Sequence, residues 1–280
     1  MSIGTSSALN SEQDLASIPM VGGGLSRLAI ARLKSAGVEV APLLKRAGLT
    51  PEAIAEPEER LSVRSQIALL EEAAIALKDD CIGFTLARDF DPREIGLLYY
   101  VMASSQTLGD ALKRIARYSK ITNEALVFGY QEGSRLVLSL SYSGVSRHSD
   151  RHQIEFCMFG ALRLCRMLTG QNLVPQHFAI SHYRSEGASE MARFVGTKVE
   201  FGADRDEFAL NVDARELPLA YEGRERDLVG ASAWKGARGR RCPQSGNEQE
   251  DACTKALGRR VELHRNTSAT AARSGSSLPR

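Results

Sequence analysis

Residues Ala125–Tyr142 read ALVFGYQEGSRLVLSLSY, and their alternation decides the fold class. Leu126, Phe128 and Tyr130 alternate with Val127 and Gly129; after the turn Gln131-Glu132-Gly133-Ser134, Leu136, Leu138, Leu140 and Tyr142 alternate with Val137, Ser139 and Ser141. Side chains of a strand point to opposite faces with period two, so the stretch is a β-hairpin with one apolar face. Downstream, a helix over about Asp150–Thr169 is apolar at Ile154, Cys157, Met158, Ala161, Leu162, Cys165 and Leu168 and is closed by Gly170. A strand over His177–Tyr183, a short helix around Ser189–Val195 and a second strand pair complete the order ββαβαββ. That pair sets Val199 and Phe201 against Phe208, Leu210 and Val212 across Gly202-Ala203-Asp204.

Upstream of the hairpin the period is helical. Leu25, Leu28, Ala29 and Leu33 lie on one helix face, with Gly37 placed for a left-handed C-terminal residue. Pro42–Ala47 forms a second helix ended by Gly48. Thr50-Pro51-Glu52 then gives a capping hydroxyl, a proline in the first turn and an early carboxylate, the order a helix start prefers. Ser62 precedes a helix with Ile67, Leu70, Ala74 and Leu77 on its stripe, broken at Asp79-Asp80. IGLLYYVMA, from Ile95 to Ala103, is apolar on all sides and predicts a buried element at the domain centre. Thr107-x-x-Asp110 is a capping pattern, and Leu108, Ala111, Leu112, Ile115 and Tyr118 supply the buried face of the helix it starts. A helical part followed by an antiparallel sheet with helices packed on it is an α+β fold.

This organisation stops near Tyr221. Before it the chain carries 24 Lys and Arg against 27 Asp and Glu; after Ala220 it carries 12 against 7. Residues 235–255 contain no Leu, Ile, Val, Met or aromatic, so the basic tail cannot bury a core of its own. Segments such as GARGRRCPQSG have the Arg, Gly and Ser bias of a G+C-rich frame read out of register. The expected division is a flexible 1–20, a folded domain over 21–220, and a disordered basic tail over 221–280 arising from a frameshift. The slightly acidic body offers no cluster of Lys and Arg to grip a polyanion.

Several chemistries are disfavoured by what the residues lack. No run of eighteen apolar residues and no signal-peptide pattern occurs, so the expected location is the cytoplasm, without a membrane partner. The five cysteines are odd in number and contain no CxxC pair; Cys157 and Cys165 read as small buried hydrophobes. His148 and His152 share a spacing that zinc can use, but their surroundings read as a helix start, and no metal or cofactor is expected. Gly22-Gly23-Gly24 belongs to no phosphate-binding pattern, and neither GxSxG nor paired catalytic carboxylates are present. His182 shares strand parity with Phe178 and Ile180 and so points inward, either as a satisfied core group or as a ligand-orienting one. With Tyr99, Tyr100 and Tyr142 it makes up the candidate effector-contacting set.

Two blocks carry a family resemblance. They are GLLYYVMASSQTLGDALKRIARYSKIT, from Gly96 to Thr122, and PQHFAISHY…FVGTKVEF…FALNVDARELPLA, from Pro175 to Ala220. Together they resemble the arabinose-binding-type N-terminal domain of AraC-type transcriptional regulators, with Phe194-Val195-Gly196 standing where the family pattern has an adjacent Phe-Gly. The resemblance covers about Val21–Ala220. It implies an α+β domain that binds a small effector of unspecified class and dimerises, with itself or with related regulators. It also implies a C-terminal domain of two helix-turn-helix units reading the major groove. The family's Ser-x-Arg-x-Leu-x-Arg recognition pattern occurs nowhere after Leu219, so no DNA-binding residue is assigned, and DNA is expected as a partner only through a missing C-terminal domain. Two other classes stay open: a small-molecule-binding protein with no DNA role, and an enzyme, for which no motif speaks.

Overall fold

The computed structural model describes residues 19–56, 59–95, 97–143 and 150–220. Most of the 1–20 segment, His148 and the 221–280 tail lie outside the described residues.

The helical part opens with β1 (Met20–Gly22), α1 (Gly24–Ser35), α2 (Ala41–Arg46), α3 (Pro51–Ala55), β2 (Arg60–Ser62) and α4 (Val63–Leu77). It continues through α5 (Ile82–Asp89), α6 (Leu97–Ala103) and α7 (Leu108–Thr122). The punctuation acts as the sequence predicts. The Thr50 and Thr107 hydroxyls accept from the amides of Ala53 and Asp110, and Gly37 and Gly48 take positive φ behind α1 and α2. The strands β1 and β2, antiparallel to each other, are new: three-residue strands have no period to read.

The second half is β3 (Leu126–Glu132), β4 (Arg135–Tyr142), α8 (Arg151–Thr169), β5 (His177–Ile180), α9 (Ala188–Val195), β6 (Glu200–Phe201) and β7 (Asp206–Asn211), the expected ββαβαββ order. The sheet runs β3-β4-β7-β5-β6. All neighbours are antiparallel except β5 and β6. The strand pair read around Gly202 is therefore corrected, because β6 and β7 flank β5 instead of pairing with each other. The α9 crossover lays β6 parallel to β5, as a strand-helix-strand connection does. The chain then returns on the far side of β5, and Val212 falls in a short 3-10 turn.

Two apolar cores form. One gathers the inner face of the sheet with α5 to α9, and in it Phe159 of α8 stacks on Phe178, which stacks on Phe208, at 5.0 and 5.8 Å between ring centroids. The other holds β1, β2, α1 to α4 and the apolar side of α5. Tyr142 and Phe156 pack against both, marking the seam between them. Cys165 is buried and Cys157 half-buried on α8, and burial pushes both thiols up to about 12, in keeping with a packing role. The IGLLYYVMA reading is corrected in part. Leu98, Tyr99, Met102 and Ala103 are buried, but Tyr100 is 46% exposed, because α6 packs along α7 on one side only.

Helices α5 and α8 cross at Gly83, where a Cβ would lie 2.0 Å from the His152 carbonyl oxygen. Glycine in a helix ordinarily costs about 1 kcal/mol relative to alanine, so an alanine here would stabilise if space allowed. The obstructing atom is backbone and cannot rotate away. Gly83→Ala should lower stability by roughly 1–3 kcal/mol, the usual cost of overpacking, read as a lower urea midpoint. A midpoint at or above wild type would show that the crossing tolerates a methyl group.

Candidate functional site

The first two turns of α8 are where polar chemistry collects. Arg151, His152, Gln153 and Glu155 stand at the head of an otherwise apolar helix, yet His152, Gln153 and Glu155 are buried. Gln153 faces the seam. The Ser26 hydroxyl donates to Gln66 Oε1 at 3.1 Å, Gln66 Nε2 donates to Gln153 Oε1 at 2.7 Å, and Gln153 Nε2 donates to the Tyr142 hydroxyl. This chain ties α1, α4, α8 and β4 together across the two cores.

His152 and Glu155, three residues apart, share the other side of α8. Glu155 is fully buried, and its Oε1 takes the Nε2 of His182 at 2.9 Å and the Nε of Arg184 at 2.6 Å. Arg184 reaches on to Asp80, donating from Nη1 to Oδ2 and from Nη2 to the carbonyl, both at 2.8 Å. Arg151 Nη2 lies 2.7 Å from Asp80 Oδ1 and 3.4 Å from Glu71 Oε1. His152 Nε2 lies 3.3 Å from Glu71 Oε2. Residues from α4, the α4–α5 turn, α8 and the segment after β5 thus form one charged network. Burial disfavours the charge on Arg184, but the attraction and hydrogen bond of Glu155 outweigh it, and its pKa is raised. Burial, aided by the Arg151 and Arg184 guanidiniums, pushes His152 down to about 3, so its ring is neutral at ordinary pH.

Four buried polar atoms of this network make no well-aligned hydrogen bond: Glu155 Oε2, His182 Nδ1 and both ring nitrogens of His152, whose Nε2 is within ion-pair distance of Glu71 but off the hydrogen-bonding direction. A buried donor or acceptor left unpaired costs about 1–3 kcal/mol. All four lie within the charged network at and beyond the head of α8. Among the described residues no group of three or more His, Cys, Asp or Glu is placed to hold a metal ion. A cleft of about 390 Å³ opens beside the network, lined by Asp80, Arg151, Tyr183, Arg184, Ser185 and Glu186. A second cleft, about 510 Å³, lies at the β3–β4 turn, where His177 and Glu207 approach to 4.0 Å.

The four expected contact residues are dispersed. His182 joins the charged network and Tyr142 the neutral chain, while Tyr99 is buried in α6 with its ring 5.2 Å from that of exposed Tyr100. None of them lines either cleft. Sequence reasoning passed over Glu155, Arg184 and Asp80, and read His152 only with His148. The available signal was a polar His152-x-x-Glu155 pair placed among the apolar positions of α8.

Helices laid over a five-stranded sheet, with a polar site at the head of the central helix, define an α+β domain. Residues 37–219, more than half of the chain, match the family described as the arabinose-binding domain of AraC transcription regulators, N-terminal. The chain belongs to this family of transcription regulators. No curated protein matches it in sequence. Among solved structures, the transcriptional regulator CdpR from Pseudomonas aeruginosa is similar at 16% identity and a TM-score of 0.46. That match covers 64% of this chain and 55% of that one.

The state of His152 carries a pH consequence. Its folded value of about 3 lies below the ordinary 6.5, so the unfolded chain binds the proton more readily. Stability from this group is complete above about pH 6.5 and is lost as pH falls toward 3, by up to about 1.4 kcal/mol per pH unit. His152→Gln should therefore flatten the acid limb of the stability curve in urea titrations between those values. An unchanged limb would place the acid sensitivity elsewhere.

Proposed function

We propose that residues 21–220 bind a small-molecule effector and self-associate, as the sensing half of an AraC-type regulator whose DNA-reading half is replaced by the 221–280 tail. The observation that carries the effector reading is the set of unpartnered buried atoms on Glu155, His182 and His152, in a network that reaches a cleft of ligand size through Asp80, Arg151 and Arg184, in a domain of this family. An effector biases such a domain only through different free energies in its conformations, and a site whose polar groups are incompletely paired offers that difference. For the missing reader, the support is compositional: residues 235–255 hold no Leu, Ile, Val, Met or aromatic with which to pack a helix-turn-helix core.

The purified chain should behave as a dimer in light scattering and should leave a promoter-length duplex unshifted at physiological salt. Specific retardation of the duplex would place a DNA reader within these residues. Translating the underlying DNA in its other two frames beyond codon 220 should uncover a helix-turn-helix pattern, and its absence from both would remove the frameshift origin of the tail. Co-expression with an intact relative should lower promoter output through mixed dimers with one DNA-reading head. Unchanged output would rule such dimers out.

A further inference from the structure

We infer that the free edge of β3 is the self-association surface of this domain, where β3 of a second copy pairs with it antiparallel about a two-fold axis at Gly129 and the two five-stranded sheets become one. This rests on the self-association reading and assigns its surface.

The main chain of β3 is only half used. Ser143 N donates to Ala125 O and Gly133 N to Arg135 O, so the odd-numbered residues of β3 are the ones that exchange hydrogen bonds with β4. In an antiparallel pair such residues alternate with others whose N–H and C=O point the opposite way. The amides and carbonyls of Phe128, Tyr130 and Glu132 therefore point out from the edge of the sheet, and among the described residues no group is bonded to them.

The two edges of the sheet are built differently. β6 offers an incoming strand only two residues, and a very short edge strand is one of the ways in which a sheet is protected. β3 offers seven, paired residue for residue with β4 and without a bulge, and its sequence LVFGYQE contains neither Lys nor Pro. An edge that lacks all of these devices is a template for another strand.

Self-complementarity selects a second copy as the occupant. A two-fold axis at Gly129 is the register that overlaps the whole of Leu126–Glu132. It sets Phe128 against Tyr130 of the other copy, Val127 against Gln131 and Leu126 against Glu132, with donors opposite acceptors as in any antiparallel pair. Glu132, the one charged residue of the strand, is already held by Arg215 at 2.6 Å and Lys113 at 3.3 Å, and it falls opposite Leu126, so no like charges face each other. The chain's own tail is a poor alternative, since residues 235–255 hold no Leu, Ile, Val, Met or aromatic to form a strand.

The test measures the dimer dissociation constant of the full chain by analytical ultracentrifugation, with Val127 and Gln131 changed together. Val127 is half-buried and Gln131 exposed, both on the face of β3 turned away from the core. In the Gly129 register each lies opposite the other in the second copy, whereas within one chain they stand about 13 Å apart along the strand. Val127→Lys with Gln131→Lys places like charges opposite each other twice and should raise the dissociation constant about ten-fold. Val127→Lys with Gln131→Glu turns both contacts into ion pairs and should restore association to the wild-type level or tighter. Because this second variant carries the same change at Val127, its recovery shows that the first had lost pairing and not its fold. Association unchanged in the double-lysine variant, or lost in both variants, overturns the β3 edge and leaves self-association to another surface. A monomeric wild-type chain counts against both.

Discussion

The approach of α5 to α8 at Gly83 is the constraint on which the rest of the domain depends. With a helix backbone seated against the His152 carbonyl, the head of α8 lies beside the end of α4 and the turn that follows it. Asp80 and Glu71 thereby come within reach of Arg151 and His152, and the charged network closes. A bulkier residue at this crossing would separate elements whose charges are satisfied chiefly by one another.

Glu155 shows why that closeness matters. A fully buried carboxyl is tolerable only with compensating donors, and here Arg184 and His182 both reach the same oxygen. Neither donor belongs to α8; both come from the segment after β5, whose position is set by the sheet. The network therefore links the helical part, the central helix and the sheet in one electrostatic unit. The chain from Ser26 through Gln66 and Gln153 to Tyr142 links the same regions with neutral hydrogen bonds. Between the two runs, the seam separating the apolar cores is polar along the head of α8.

Much of this architecture was legible in the sequence wherever the determining physics is local. The capping of α3 and α7 by Thr50 and Thr107 follows from residue types one to three positions apart. The positive-φ glycines behind α1, α2 and α8 follow in the same way, as does the β3–β4 hairpin, whose register pairs Phe128 with Leu140 and Tyr130 with Leu138. The inward parity of His182 was also readable, though it lies two residues past the end of β5 and meets a carboxyl group instead of an apolar pocket.

The sequence by itself determined most of the longer helices and strands, several of their caps, and which family blocks the chain carries, because caps, turns and periodicity act within a few residues. Only the tertiary structure decided that β5 stands between β6 and β7, that Tyr100 faces outward, and that Glu155, Arg184, Asp80 and His182 form one site. Alternation reveals which face of a strand is apolar but not its neighbour, since every strand of a sheet presents the same period. The charged site joins residues up to 104 positions apart, and nothing local distinguishes a glutamate that will be buried against an arginine from one left in water.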